Sequence, residues 1–217
     1  MEDIELMQML SDLSEYSLEN EQLGNQVWEK TKELDKVLRS LREVALSWMP
    51  IEKSVSKEGN NLKSNDLTSK GIVLKEDELL KMAQIKQSLK EIKQDLEQEA
   101  QRINRQISEF TSSSYWTCHD EGMVILSLEE FGYKKILQAK EIIYKTLEFL
   151  ADIDFSPTKV QQDLLSSQYL PKLLLVASEK IEETARETRQ AANVFQLTNE
   201  NVWKLREKLT KNKSKSN

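Results

Sequence analysis

The chain has 217 residues, enough for one or two domains. Charged residues make up 31% and aromatics 6%, with only 5 Gly and 3 Pro. That balance favours long solvated helices and leaves too few turn residues for a compact α/β sheet. A net charge of −6 and a pI near 5.2 argue against a molecule that is, as a whole, a footprint for nucleic acid.

Residues 1–49 keep one hydrophobic period throughout. Counting in sevens from Leu6 reaches Leu13, Asn20, Val27, Leu34, Leu41 and Trp48, and three residues further on come Met9, Tyr16, Leu23, Lys30, Val37 and Val44. This is the a/d pattern of a coiled coil, carried well past three or four heptads. At 1.5 Å per residue the helix would be roughly 65–70 Å long, and a seam of that length needs another helix along it. The pattern does not say whether this chain or a partner supplies that helix. Carboxylates at Glu2 and Asp3 suit the helix start, and Pro50 ends it. Asn20 at an a position and Lys30 at a d position cost stability and set register by pairing with other polar groups. Gly24 weakens the middle by about 1 kcal/mol relative to Ala.

Between 53 and 73 the period dissolves into Ser, Lys, Asn, Gly and Asp, the composition of a linker. A second helix follows over about 74–110, its sevens falling on Met82, Leu89, Leu96, Ile103 and Phe110. Helices one and two fold back as an antiparallel hairpin in the simplest arrangement, making residues 1–112 an N-terminal unit and 113–217 a C-terminal one. Residues 111–122 are the least helical. Tyr115–Cys118 and the apolar run 123–126 have the chemistry of a small β-hairpin near 115–126, the alternative being a loop that plugs the bundle end with Tyr115 and Trp116. A third helix over about 126–153 carries Ile136, Ala139, Ile143, Leu147 and Leu150 on a broad apolar face. Ser156-Pro157 reads as an N-cap with proline at the first helical position, opening a short helix to about Tyr169. Pro171 punctuates it. The last helix runs over about 172–209 through Leu174, Ile181, Thr188, Phe195, Val202 and Leu209, and the chain beyond should fray.

Few residues carry chemistry. Cys118, His119, Asp120 and Glu121 form the one group that resembles a site, but structural zinc needs four ligands and no second Cys or His exists. With one cysteine there is no intrachain disulfide. Neither GxGxxG nor GxxxxGK[ST] occurs, and no carboxylate pair stands out as acid and base. The expectation is a chain that is not an enzyme, with no catalytic, cofactor-binding or metal residues. Ser156-Pro157-Thr158-Lys159 also fits the minimal pattern of proline-directed kinases, which makes Ser156 a candidate phosphosite. Every charged side chain before Lys30 is acidic, whereas Lys204, Arg206, Lys208, Lys211, Lys213 and Lys215 face Glu207 alone. Such polarity orients subunits, or lets the tail touch an acidic polymer surface. No apolar run is long enough to span a bilayer and nothing at the start resembles a signal peptide, so a cytoplasmic protein is expected.

The segment 194–205 (VFQLTNENVWKL), with the break at 152–157 before it, resembles the C-terminal helices of small subunits in microtubule-associated helical assemblies such as augmin. The small dynactin shoulder subunit and some kinetochore linkers are broadly similar. The resemblance covers the last third of the chain, carries no active-site residue, and implies a cytoskeletal or spindle setting. Together these readings predict an elongated all-α coiled-coil or helical-hairpin bundle. Its role would be that of a non-enzymatic subunit of a multi-protein assembly, hetero-oligomeric with other coiled-coil subunits. The partner-helix interface would comprise Leu6, Leu13, Asn20, Val27, Leu34, Leu41, Trp48, Phe195, Val202 and Trp203. The alternative is a stand-alone helical adaptor that binds nucleic acid or membrane through its basic tail.

Overall fold

A computed structural model describes residues 3–49, 76–112, 119–166 and 169–216, with side chains described between 4 and 211. The chain is all-α. Its helices are α1 (Asp3–Ser47), α2 (Glu76–Ser112), α3 (Asp120–Ala151), α4 (Pro157–Ser166) and α5 (Tyr169–Ser216). At 45 and 48 residues, α1 and α5 are each about 70 Å long.

Local chemistry sets the ends. Three acids, Glu76, Asp77 and Glu78, occupy the first turn of α2, where the helix dipole favours negative charge. α3 opens on Asp120 and Glu121 after an extended His119, whose carbonyl accepts the Met123 N–H at 3.1 Å. The Ser156 carbonyl accepts the Val160 N–H at 3.0 Å, and the Asp154 carboxylate accepts the Ser156 N–H at 2.9 Å. The Leu170 N–H, an orphan donor at the start of α5, reaches Asp163 Oδ2 at 2.8 Å.

Each long helix lies antiparallel between two neighbours. Asn20 meets Asn199 and Arg42 meets Glu182 across α1 and α5. Glu121 meets Lys208 and Lys135 meets Glu187 across α3 and α5. Trp48 meets Glu78 and Gln26 meets Arg102 across α1 and α2, while Lys140 meets Glu97 across α2 and α3. The ring closes as α1–α2–α3–α5, with α5 packed most closely, against α1 and α3. Small and β-branched residues explain that closeness: Thr184, Ala185, Thr188, Ala191 and Ala192 are all buried on α5, and Thr31 Oγ1 meets Thr188 Oγ1 at 3.0 Å.

The apolar core falls into two clusters. The larger runs from Leu23 on α1 to Trp48 just past its end and from Leu170 to Phe195 on α5, with the facing residues of α2, α3 and α4. The smaller closes the other end with Leu6, Leu13, Phe110, Ile125, Val202, Leu205 and Leu209. Each fully buried Leu, Ile or Phe contributes about 1.5–3 kcal/mol relative to exposure, so the shared core is what holds the five helices together.

Several expectations need correction. The β-hairpin near 115–126 does not form: residues 123–126 lie inside α3, because the acids at 120 and 121 start a helix that the apolar run continues. Its other half, Tyr115–Cys118, lies outside the described residues, as does the linker at 53–73. Pro171 sits in the first turn of α5 rather than before it, where a proline lacking its N–H costs little. Helical structure continues past Leu209 to Ser216. The boundary at 112 does not divide the core, since α1 lies against α5 along most of its length and both feed one cluster.

Candidate functional site

The heptad stripe of α1 faces inward. Leu6, Leu13, Asn20, Val27, Leu34, Leu41 and Trp48 are all buried, and so are Phe195 and Val202. This chain's own helices therefore cover those nine positions. Trp203 differs: it is 54% exposed.

Asn20 works as its position suggests. Its Nδ2 donates to the Phe195 carbonyl at 2.9 Å and to Asn199 Oδ1 at 3.2 Å, tying α1 to α5 in one register. Lys30 ties α1 to α2, with Nζ 2.7 Å from Asp95 Oδ2 and 3.0 Å from Glu33 Oε2. Partial burial lowers its pKa, but the bonds to Asp95 and Glu33 outweigh that and leave it raised. At the far end, the Trp48 indole N–H donates to Glu78 Oε2 at 2.7 Å, with both side chains buried.

Outside this core, α1 carries a second stripe. Ile4, Met7, Leu18 and Trp28 are 78%, 62%, 57% and 40% exposed, and their spacing keeps them on one face of the helix. The stripe runs into a groove of about 550 Å³ between α1 and α5. Gly24 and Ala192 lie in it, Asn20, Asn25, Asn193, Gln196 and Asn199 supply amides, and Trp28 and Trp203 flank it. A smaller hollow lined by Leu18, Glu21, Trp203 and Arg206 continues it toward the start of α1. The Arg206 guanidinium lies 5.0 Å from the Trp203 ring, so one face of that indole is already taken. Elsewhere the α1–α5 seam is bridged by Asp35–Arg189 at 3.1 Å and Arg42–Glu182 at 2.6 Å. No ion pair crosses the groove itself among the described residues. Its amides, apolar rings and open length suit a polypeptide surface laid along two helices.

Phe195 accounts for the glycine at 132 but leaves room for a side chain at 24. A Cβ at Gly132 would come within 2.9 Å of two atoms of its ring, and one at Gly24 would lie 3.4 Å from its Cβ. Glycine at 132 lets α3 approach an aromatic that is fully buried.

Beneath the groove, polar residues interrupt the core. Asn20, Gln106, Glu129 and Thr198 are each at most 2% exposed. Burial raises the Glu129 pKa to about 7, a shift only partly opposed by the nearby Tyr16 hydroxyl. Burial first, then the Glu129 charge, pushes Tyr16 well above the usual tyrosine range. Sequence reading passed over Glu129, yet a signal was present: extending the α3 stripe back from Ile136 by threes and fours lands on Gly132, Glu129 and Ile125.

Ser156 is exposed, and its N–H and hydroxyl both serve the Asp154 carboxylate, holding that acid below its ordinary range. Cys118 lies outside the described residues. Among the described residues there is no group of three or more His, Cys, Asp or Glu side chains able to hold a metal ion. Nor is any described helix long and apolar enough to cross a membrane. The class defined by fold is thus an all-α antiparallel bundle with an aromatic-flanked groove. No family model, curated protein or solved structure matches the chain.

Proposed function

We propose that this chain is a non-enzymatic structural subunit of a multi-protein helical assembly, an elongated coiled-coil type of bundle that serves as a rigid strut. Its work is spatial: it presents the α1–α5 groove at a fixed place along a helix pair about 70 Å long. One observation carries the reading. With the heptad seam covered by the chain's own helices, a second apolar stripe still faces outward on α1 and meets Trp203 of α5. Exposed Trp rings flanking a groove are the residues most often found at the energetic centre of protein interfaces.

The partner in this reading is a helix of another coiled-coil subunit, seated along Leu18, Trp28 and Trp203. The cytoskeletal or spindle setting and the cytoplasmic location rest on the resemblance of the segment 194–205. The acidic start of α1 and the basic end of α5 lie side by side, because these helices are antiparallel, and Lys208 already pairs with Glu121 at 2.8 Å. Charge at this end then orients the strut in its complex.

The experiment is affinity purification of the full chain from its source cells, with the mass measured by light scattering. A defined complex heavier than the 25.2 kDa chain, lost on joint Trp28→Ala and Trp203→Ala substitution while the helices persist, supports the reading. A free monomer, or a complex indifferent to both substitutions, overturns it.

A further inference from the structure

The two apolar clusters are separated by one polar layer to which all four long helices contribute. Tyr16 and Asn20 come from α1, Gln106 from α2, Glu129 from α3 and Thr198 from α5. Direct contacts put these residues at one level. The Tyr16 ring packs 5.3 Å from that of Phe110, its hydroxyl faces Glu129, Gln106 reaches Glu19, and Asn20 reaches Asn199.

The layer is short of donors. Asn20 Oδ1 and Gln106 Oε1 are buried without a hydrogen-bond partner, and among the described residues the Tyr16 hydroxyl is the only donor turned toward the two buried carboxyl oxygens of Glu129. The amide N–H groups are already engaged: Asn20 Nδ2 gives to Phe195 and Asn199, and Gln106 Nε2 gives to Glu19 Oε2 at 3.2 Å. Thr198 spends its hydroxyl on the Val194 carbonyl at 3.0 Å. Among the described residues no cation acts on Glu129. α1 brings Tyr16 as the one titratable group acting on it, and Glu19 beyond is itself an acid held by Gln106. α2 brings Gln106 and Phe110, and α5 brings Thr198, Val202 and Leu205. On α5, Arg206 lies over the Trp203 ring and Lys208 pairs with Glu121.

A proton on Glu129 removes the uncompensated charge and converts an acceptor into a donor, which is what the layer lacks. We propose that Glu129 is a proton-operated latch: with its carboxyl protonated the smaller cluster closes over the polar layer, and with it ionised that end of the bundle opens. The upward shift of its pKa to about 7 agrees in direction with the geometry. The sign follows. In the open form the carboxyl titrates near its ordinary value of about 4.5, in the closed form near 7, so the closed form binds more protons between these values and loses ground as pH rises through them. Above about pH 8 the effect levels off.

The test is hydrogen exchange on the full chain between pH 5 and 8, corrected for intrinsic rates. Protection of amides in 6–20 and 198–209 should fall over that range, by on the order of a hundredfold in all. Amides around Trp48 and Glu78, at the far end, should show no such trend. Glu129→Gln, which keeps an amide donor and cannot ionise, should abolish it. An unchanged trend in that variant, or no trend in the unsubstituted chain, overturns the latch. If Glu129→Gln does not fold, carbon-13 titration of the glutamate carboxyls decides: one must titrate near neutrality, and a set confined to the ordinary range overturns the proposal.

Discussion

Phe195 shows how one side chain constrains a helix besides its own. Its ring is fully buried and fills the space that a side chain at Gly132 would need. Gly132→Ala gains about 1 kcal/mol of helix propensity but drives a methyl into a ring that cannot withdraw, so a net loss of about 1–2 kcal/mol is expected. Gly24→Ala meets only ordinary contact at 3.4 Å and should be neutral or stabilising by about 0.5–1 kcal/mol. Paired urea titrations of the two variants check this; equal effects would show that Phe195 is not the cause. Glu129 has its own signature at this scale. Since its folded pKa of about 7 lies above the ordinary 4.5, unfolding stability should decline between those values, by at most about 3 kcal/mol. Denaturant midpoints measured against pH, with and without Glu129→Gln, give the readout.

Between elements, a few polar contacts fix which helix lies where. Trp48 and Glu78 join the end of α1 to the start of α2, with the intervening 50–75 outside the described residues. Trp48→Phe keeps most of the apolar volume but strands a buried carboxylate, which should cost about 1.5–3 kcal/mol. The double variant Trp48→Phe, Glu78→Leu should recover much of that loss. Failure to recover would mean that the cost lies in packing. Lys135 and Glu187 play the same part between α3 and α5, at 2.7 Å with both side chains mostly buried. Lys135→Met should cost about 1–3 kcal/mol in melting experiments, since it leaves Glu187 without that partner.

For the whole molecule, closure of the bundle separates two apolar surfaces that look alike along the chain. The a/d stripe of α1 belongs to the interior, and the stripe through Leu18 and Trp28 belongs to the outside. Trp28→Ala and Trp203→Ala should therefore change stability by less than about 1 kcal/mol while weakening assembly, the reverse of a core substitution such as Phe195→Ala at about 3–5 kcal/mol. Melting curves beside a binding assay separate the two.

The long helices, the a/d stripe of α1 and the polar interruption at Asn20 were legible along the chain, because helical periodicity repeats within a few residues and depends on nothing distant. Lys30 at a seam position likewise announced a polar tie, though not to Asp95. What only the tertiary structure decided was which helix covers which stripe. α1 and α5 meet across a sequence separation of some 175 residues in the Asn20–Phe195 bond, and no local pattern encodes that choice. Glu129 reads as one more solvated acid until four helices close around it. The chain's order of residues settles what each helix can bury, and the closed packing settles which face remains for another molecule.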